Sequence, residues 1–165
     1  MNSTPPHGSP RRDGGRDARR PDSASWVEAF AAGVKSEDRV ARVLMSYGIM
    51  ARAMPRDSRK APYDLHGIGR FEVKFDRYAQ RTDRVGVELE CRGKPSGVCT
   101  STATAWVFDI GTDEFFLIKT SRLRALVPEC QQKMTGDDRA CVLALLPLAI
   151  LRRSATVLRI SPEDA

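Results

Sequence analysis

The chain has 165 residues, enough for one domain with a real core plus a tail but not for two full domains. A hydrophobic share of 41% and a charged share of 29% exclude collagenous, wholly disordered and membrane-embedded chains, and no uncharged run is long enough to span a bilayer, the apolar stretch 141–151 being broken by Pro147. The net charge is +6 and 21 of the 27 basic residues are Arg, the side chain shaped for bidentate phosphate contact, so a polyanion is the partner to test; an Arg-rich but merely solvated surface is the alternative on composition alone.

Residues 1–23, rich in Pro, Gly, Ser, Arg and Asp, cannot bury enough apolar surface to offset ordering entropy, so a disordered arm is expected there and a single domain over 24–165. The arm lacks the apolar stretch of a secretory signal and carries Asp13 and Asp17, which transit peptides avoid; a cytoplasmic protein is expected. Ser25 and Glu28 have the spacing of a capping box, and Trp26, Phe30 and Val34 begin a helical pattern. Gly33 and Ser36 predict a break before a second helical stretch, 37–47, with Val40, Ala41, Leu44 and Tyr47 as its apolar stripe and Gly48 as its stop.

From Ala61 the period changes to two. Residues 63–65 and 70–75 predict strands joined by a turn at 66–69, whose Gly67 and Gly69 permit tight reversal. A third strand alternates Val85, Val87 and Leu89 with Gly86, Glu88 and Glu90, followed by a Gly/Pro loop at 92–97. Strands at 106–110 and 115–119 flank the turn 111–113, and Thr120 or Ser121 caps a short helix reaching Leu126. An apolar strand at 141–145, a Pro147-initiated helical turn and a last strand near 157–160 complete an α/β chain with its helix first. Cys91, Cys99, Cys130 and Cys141 form no CxxC pair, and His7 and His66 sit at no zinc-finger spacing; all four cysteines read as core or near-surface thiols.

The chemistry lies in Phe71-Glu72-Val73-Lys74-Phe75. Alternation sends the apolar residues to one face and holds Glu72 and Lys74 on the other, about 7 Å apart. A turn centred on Ile68 sets Asp64 opposite Glu72, whereas a half-residue shift pairs Asp64 with Phe71 instead. Two carboxylates, as hard oxygen ligands, suit Mg²⁺ or Mn²⁺, and Lys74 beside them suits the water and the developing charge of phosphodiester hydrolysis. Glu37 projects along the buried face of its helix, where a carboxylate needs a partner or a metal. Charge is concentrated in the same region: residues 51–84 carry nine basic and five acidic side chains, a local +4. Arg77, Arg81 and Arg84 follow the strand as clamps for a nucleic-acid backbone. Trp106 reads as core and His66 as a solvated turn residue.

Asp64, Glu72-Val73-Lys74 and the upstream Glu37 resemble the PD-(D/E)xK nuclease superfamily, the restriction-endonuclease-like fold that includes Holliday-junction resolvases. The likeness is closer to small phage and bacterial proteins in which an EVK strand is followed by an acidic strand, a K-P-S-G loop and a tryptophan-bearing strand. Here those are Glu88, Lys94-Pro95-Ser96-Gly97 and Trp106. The resemblance spans roughly 37–126 and implies a central mixed β-sheet flanked by helices. It further implies Asp64 and Glu72 as Mg²⁺ or Mn²⁺ ligands, Lys74 beside the nucleophilic water and Glu37 as an accessory ligand or water-positioning catalytic residue; Glu88 is a secondary site residue, or else a surface acid. Lys94 and Ser96 become DNA contacts, or else simply build a turn. A homodimer acting on DNA follows from the same likeness, with no membrane and no organic cofactor involved. Two positions depart from the pattern: Tyr63 stands between Pro62 and Asp64, and Thr104 stands where the closer group carries Asp. The competing classes are a non-catalytic nucleic-acid-binding protein on the same fold and an interaction protein with no nucleic-acid role.

Overall fold

One unbroken helix, α1 (Ser23–Ser46), stands where the sequence pattern predicts two. A glycine inside a helix costs only about 1 kcal/mol relative to alanine, and tertiary contacts outweigh it here. Ser36, the expected re-capping residue, is buried and donates its hydroxyl to Asp109 Oδ2 at 2.9 Å, so it ties the helix to a strand instead of starting a new one. Tyr47, expected on the apolar stripe, lies past the helix end, half exposed, and its hydroxyl accepts from the Arg159 amide. The computed structural model describes residues 23–54, 63–136 and 139–160; the expected arm through residue 22 and the side chain of Ser25 lie outside what is described.

After α1 come β1 (Ala51–Ala53), β2 (Leu65–Gly67), β3 (Arg70–Phe75), α2 (Ala79–Thr82), β4 (Arg84–Cys91) and β5 (Lys94–Pro95). A 3₁₀ turn at Gly97–Cys99 leads to β6 (Ala105–Asp109), β7 (Glu114–Lys119) and α3 (Thr120–Leu126). The chain closes with β8 (Gln131–Thr135), β9 (Cys141–Pro147), α4 (Leu148–Ser154) and β10 (Thr156–Arg159). Neither Thr120 nor Ser121 caps α3: Thr120 is its first residue and donates its hydroxyl to the Ala103 carbonyl at 2.7 Å.

A six-stranded sheet in the order β1-β2-β3-β6-β7-β10 forms the centre, and β5-β4-β9-β8 form a second, antiparallel sheet that the sequence pattern did not separate from the first. The pairing of β3 with β6 is parallel, so the central sheet is mixed. On one face, Val40, Val43 and Leu44 of α1 pack against Leu65, Phe71 and Val107. On the other, Trp106, Phe108 and Phe116 meet Val85, Val87 and Leu146 of the second sheet, with Leu123 of α3 and Leu151 of α4 closing the ends. Each such side chain contributes about 1.5–3 kcal/mol through burial. The mixed α/β architecture with its helix first is the one the sequence pointed to. Among the described residues no helix is long and apolar enough to cross a membrane.

Candidate active site

The β2–β3 hairpin pairs Leu65 with Phe71 and His66 with Arg70, so its turn is centred on Ile68. The strand β2 begins two residues later than the sequence pattern predicts, which leaves Asp64 just ahead of it. The paired register stops at Leu65 and Phe71, so it does not itself set Asp64 opposite Glu72; Asp64 is bonded instead to Phe71 and Val73, on either side of Glu72. Asp64 is fixed at both ends: its amide donates to the Phe71 carbonyl at 2.9 Å, and its Oδ2 accepts from the Val73 amide at 2.7 Å. Phe71 is buried under α1, and Val73 packs there too. Glu72 and Lys74 lie beside Trp106 and Phe108 in the parallel register and share their face of the sheet. Gly67 permits the hairpin's close approach to the β1 end, because a Cβ there would fall 1.7 Å from the Met50 carbonyl oxygen.

The acids converge electrostatically. Burial, followed by the charge of Asp64, pushes the Glu72 carboxyl from its ordinary 4.5 up to about 7; Glu37 and Glu88 add to the rise and Lys74 opposes it. Burial also raises Asp64, against the Val73 amide and Lys74, which pull it down. All five acid and lysine positions singled out from the sequence, Asp64, Glu72, Lys74, Glu37 and Glu88, therefore fall within one electrostatic neighbourhood. Ser96 joins it, since its hydroxyl donates to Glu88 Oε1. The close approach of that loop depends on Gly97, which has φ +50° and whose Cβ, if present, would lie 2.3 Å from the Glu88 carbonyl oxygen.

The basic residues are less concentrated than expected. Arg77 and Arg81 both stack on the exposed ring of Tyr78, at 4.8 and 4.9 Å from its centroid. Arg77 also borders a cleft of about 390 Å³ between Ala29, Ala32 and Gly33 of α1 and Lys74 and Asp76 at the end of β3. Arg84 sits elsewhere, donating to Gln131 Oε1 at 2.7 Å, and Lys94, paired with Cys91, is at the opposite end of β4 from Arg84. Arg77 and Arg81 thus lie together on Tyr78, and Arg84 is bonded elsewhere. Trp106 is core, as expected, but its indole N–H is the one buried side-chain polar atom without a partner among the described residues. His66 is exposed and stacks on Tyr63, with ring centroids 6.1 Å apart.

Several contacts around the site carried no local signal. Asp109 is fully buried and accepts from Arg39 Nη1 through both oxygens, at 3.1 and 3.0 Å, as well as from Ser36 and the Gly111 amide. Arg124 holds the loop after β5 by donating to the carbonyls of Val98 and Ser101, at 2.8 and 2.7 Å. Thr104, one of the two departures from the family pattern, staples β3 by accepting from the Arg70 amide and donating to the Arg70 carbonyl. Cys91 and Cys141, expected as separate thiols, are joined in a disulfide, because β4 and β9 place them directly opposite with Cα atoms 4.0 Å apart. Cys99 and Cys130 remain free. Comparison with protein families, with curated proteins and with solved structures finds no match.

Proposed function

We propose that the chain is a metal-dependent nuclease of the PD-(D/E)xK type, hydrolysing phosphodiester bonds of DNA. The observation that carries this reading is the tethering of Asp64 to β3 through Phe71 and Val73, on either side of Glu72, with Lys74 on the same strand. The residues fit a hard divalent ion. The donors are carboxylates, and the burial and like charge that raise Glu72 to about 7 constitute a cost that a bound dication offsets. When bound, Mg²⁺ or Mn²⁺ supplies Lewis acidity toward a phosphoryl oxygen and lowers the pKa of water.

The chain's own groups do the rest. Asp64, oriented by the Val73 amide, and Glu72 would hold the ion. The Lys74 ammonium orients the attacking water and offsets charge that builds on the phosphorus oxygens. Glu37 positions water or ligand from the helix side, and Glu88, held by Ser96, is the secondary acid. Arg77 and Arg81 contact backbone phosphates, giving salt-sensitive binding without sequence preference, and Lys94 extends that contact from β5. A homodimer would address both strands of a duplex.

The test is cleavage of labelled linear duplex, single strand, flap and four-way junction with Mg²⁺ or Mn²⁺, against chelator and against Lys74→Ala. Metal-dependent cutting that is lost in the variant is the expected result. Wild-type protein that binds DNA equally well with chelator and cuts none of the four would overturn it in favour of a non-catalytic binding protein.

A further inference from the structure

We propose that Glu88, Cys91 and Cys141 form a second metal site, for a soft divalent ion of the Zn²⁺ class, closed while the disulfide is intact and opened by its reduction. The site depends on an irregularity in β4. Side chains alternate along a strand, so Glu88 and Cys91, three residues apart, would ordinarily point to opposite faces. The register with β9 slips between them: Glu88 pairs with Leu143, Glu90 with Val142 and Cys91 with Cys141. Leu89 is the extra residue of a β-bulge, and since Leu143 and Cys141 share a face of β9, Glu88 and Cys91 share it too. One carboxylate oxygen and the two sulfurs consequently lie within 4.8 Å of one another.

That spread matches a small tetrahedral shell, in which Zn–S bonds of about 2.3 Å and a Zn–O bond of about 2.0–2.2 Å bring ligand atoms to slightly under 4 Å from each other. The donor set also differs in kind from that of Asp64 and Glu72. Two thiolates select zinc-like ions over Mg²⁺, and three protein ligands leave the fourth position for water. All three residues are only partly buried, and the exposed Arg92–Gly93 turn beside them leaves a path for reductant and ion.

The chemistry balances. A dithiol reductant delivers two electrons and two protons to the Cys91–Cys141 bond, giving two thiols and leaving as a cyclic disulfide. Zn²⁺ binding then releases both thiol protons to solvent and draws Glu88 Oε1 away from the Ser96 hydroxyl it now accepts from. Glu88 is thereby shared between a redox-gated site and the carboxylate cluster, so thiol status reaches the neighbourhood of Glu72 through a single side chain.

The experiment uses the full chain with Cys99→Ser and Cys130→Ser, which removes the two free thiols. It is reduced with a phosphine, which takes up oxygen from water as phosphine oxide, and titrated with Co²⁺. Expected are one equivalent bound, a thiolate-to-cobalt charge-transfer band and tetrahedral visible bands, all absent from the oxidised protein and displaced by Zn²⁺. Cys141→Ser removes most of the charge-transfer intensity, and Glu88→Gln keeps it while weakening binding by at least about tenfold. In reduced protein with all four cysteines, Zn²⁺ shields Cys91 and Cys141 from alkylation while Cys99 and Cys130 react. Asp64→Ala leaves the band unchanged, which separates this site from the nuclease reading. Absence of the band from the reduced protein, folded or not, overturns the proposal, as does its persistence in Cys141→Ser.

Discussion

The amide of Val73, set between Glu72 and Lys74, donates its hydrogen bond to Asp64 Oδ2 at 2.7 Å. Asp64 is therefore a structural acceptor as well as a proposed ligand, and two substitutions separate the roles. Asp64→Ala leaves the amide unpaired and lowers unfolding free energy by about 1–3 kcal/mol, whereas Asp64→Asn keeps an acceptor and costs less than about 1 kcal/mol. Both should abolish the proposed metal-dependent cleavage. Urea unfolding in chelator measures the difference, and equal losses would remove the hydrogen bond from the account.

Glu72 makes the metal-free fold sensitive to pH. Its folded value, about 7, lies above its ordinary 4.5, raised by burial first, then by Asp64, Glu37 and Glu88, against Lys74. The native state thus holds the proton more tightly than the unfolded chain does. This contribution is fully present below about 4.5, drains away as pH rises through about 7 and loses nothing more beyond; the gap corresponds to about 3 kcal/mol at most. Glu72→Gln should gain on wild type progressively between pH 4.5 and 8 in chelator, and saturating Mg²⁺ at pH 8 should cancel the gain. A stability difference that stays flat across that range in thermal unfolding would falsify the assignment.

Gly97 carries the K-P-S-G loop against β4. With φ +50° and a Cβ that would lie 2.3 Å from the Glu88 carbonyl oxygen, Gly97→Ala meets both backbone strain and a backbone clash. Strain alone costs about 1–3 kcal/mol. Ser96→Ala, which removes only the hydroxyl bound to Glu88, should cost about 0.5–1.5 kcal/mol. Denaturant midpoints that rank Ser96→Ala as the more damaging change would contradict this geometry.

Asp109 and Arg39 join α1 to the centre of the sheet. Asp109 is fully buried, so Asp109→Ala deprives Arg39, Ser36 and the Gly111 amide of their acceptor at once, a loss of about 3–5 kcal/mol. A double-mutant cycle with Arg39→Ala should return a coupling of about 1–3 kcal/mol. Additive single-mutant losses would show that the pair does not act as a unit.

What could be read from the residues alone follows the range of each interaction. The turn at Ile68 and the alternation 71–75 are local, and two glycines with a period of two suffice to predict them, whereas the same signals leave the partner of Asp64 open between Glu72 and Phe71. The supposed break in α1 failed because Gly33 and Ser36 are also local signals, and Asp109, 73 residues away from Ser36, overrides them. The bulge at Leu89 leaves no mark, since residues 85–90 alternate without interruption in composition. The disulfide requires the register of strands whose cysteines are 50 residues apart, which neither spacing nor cysteine count supplies. Asp109 lies within the predicted strand 106–110 with nothing to single it out; only the arrival of α1 makes it a buried charge.

The parallel seam between β3 and β6 joins Glu72 to Trp106, 34 positions later in the chain, while the β2–β3 hairpin closes over Ile68 and Gly69 alone. Short closures form quickly and non-local pairings slowly. During synthesis, then, Asp64 and Glu72 meet early, and the floor beneath them is laid only after β6 has been made. Glu37, Asp64, Glu72, Lys74 and Glu88 all precede Ala105. A fragment truncated there keeps every one of these groups and lacks the strand on which they are assembled, so early termination or proteolysis yields a product that retains the motif without its foundation.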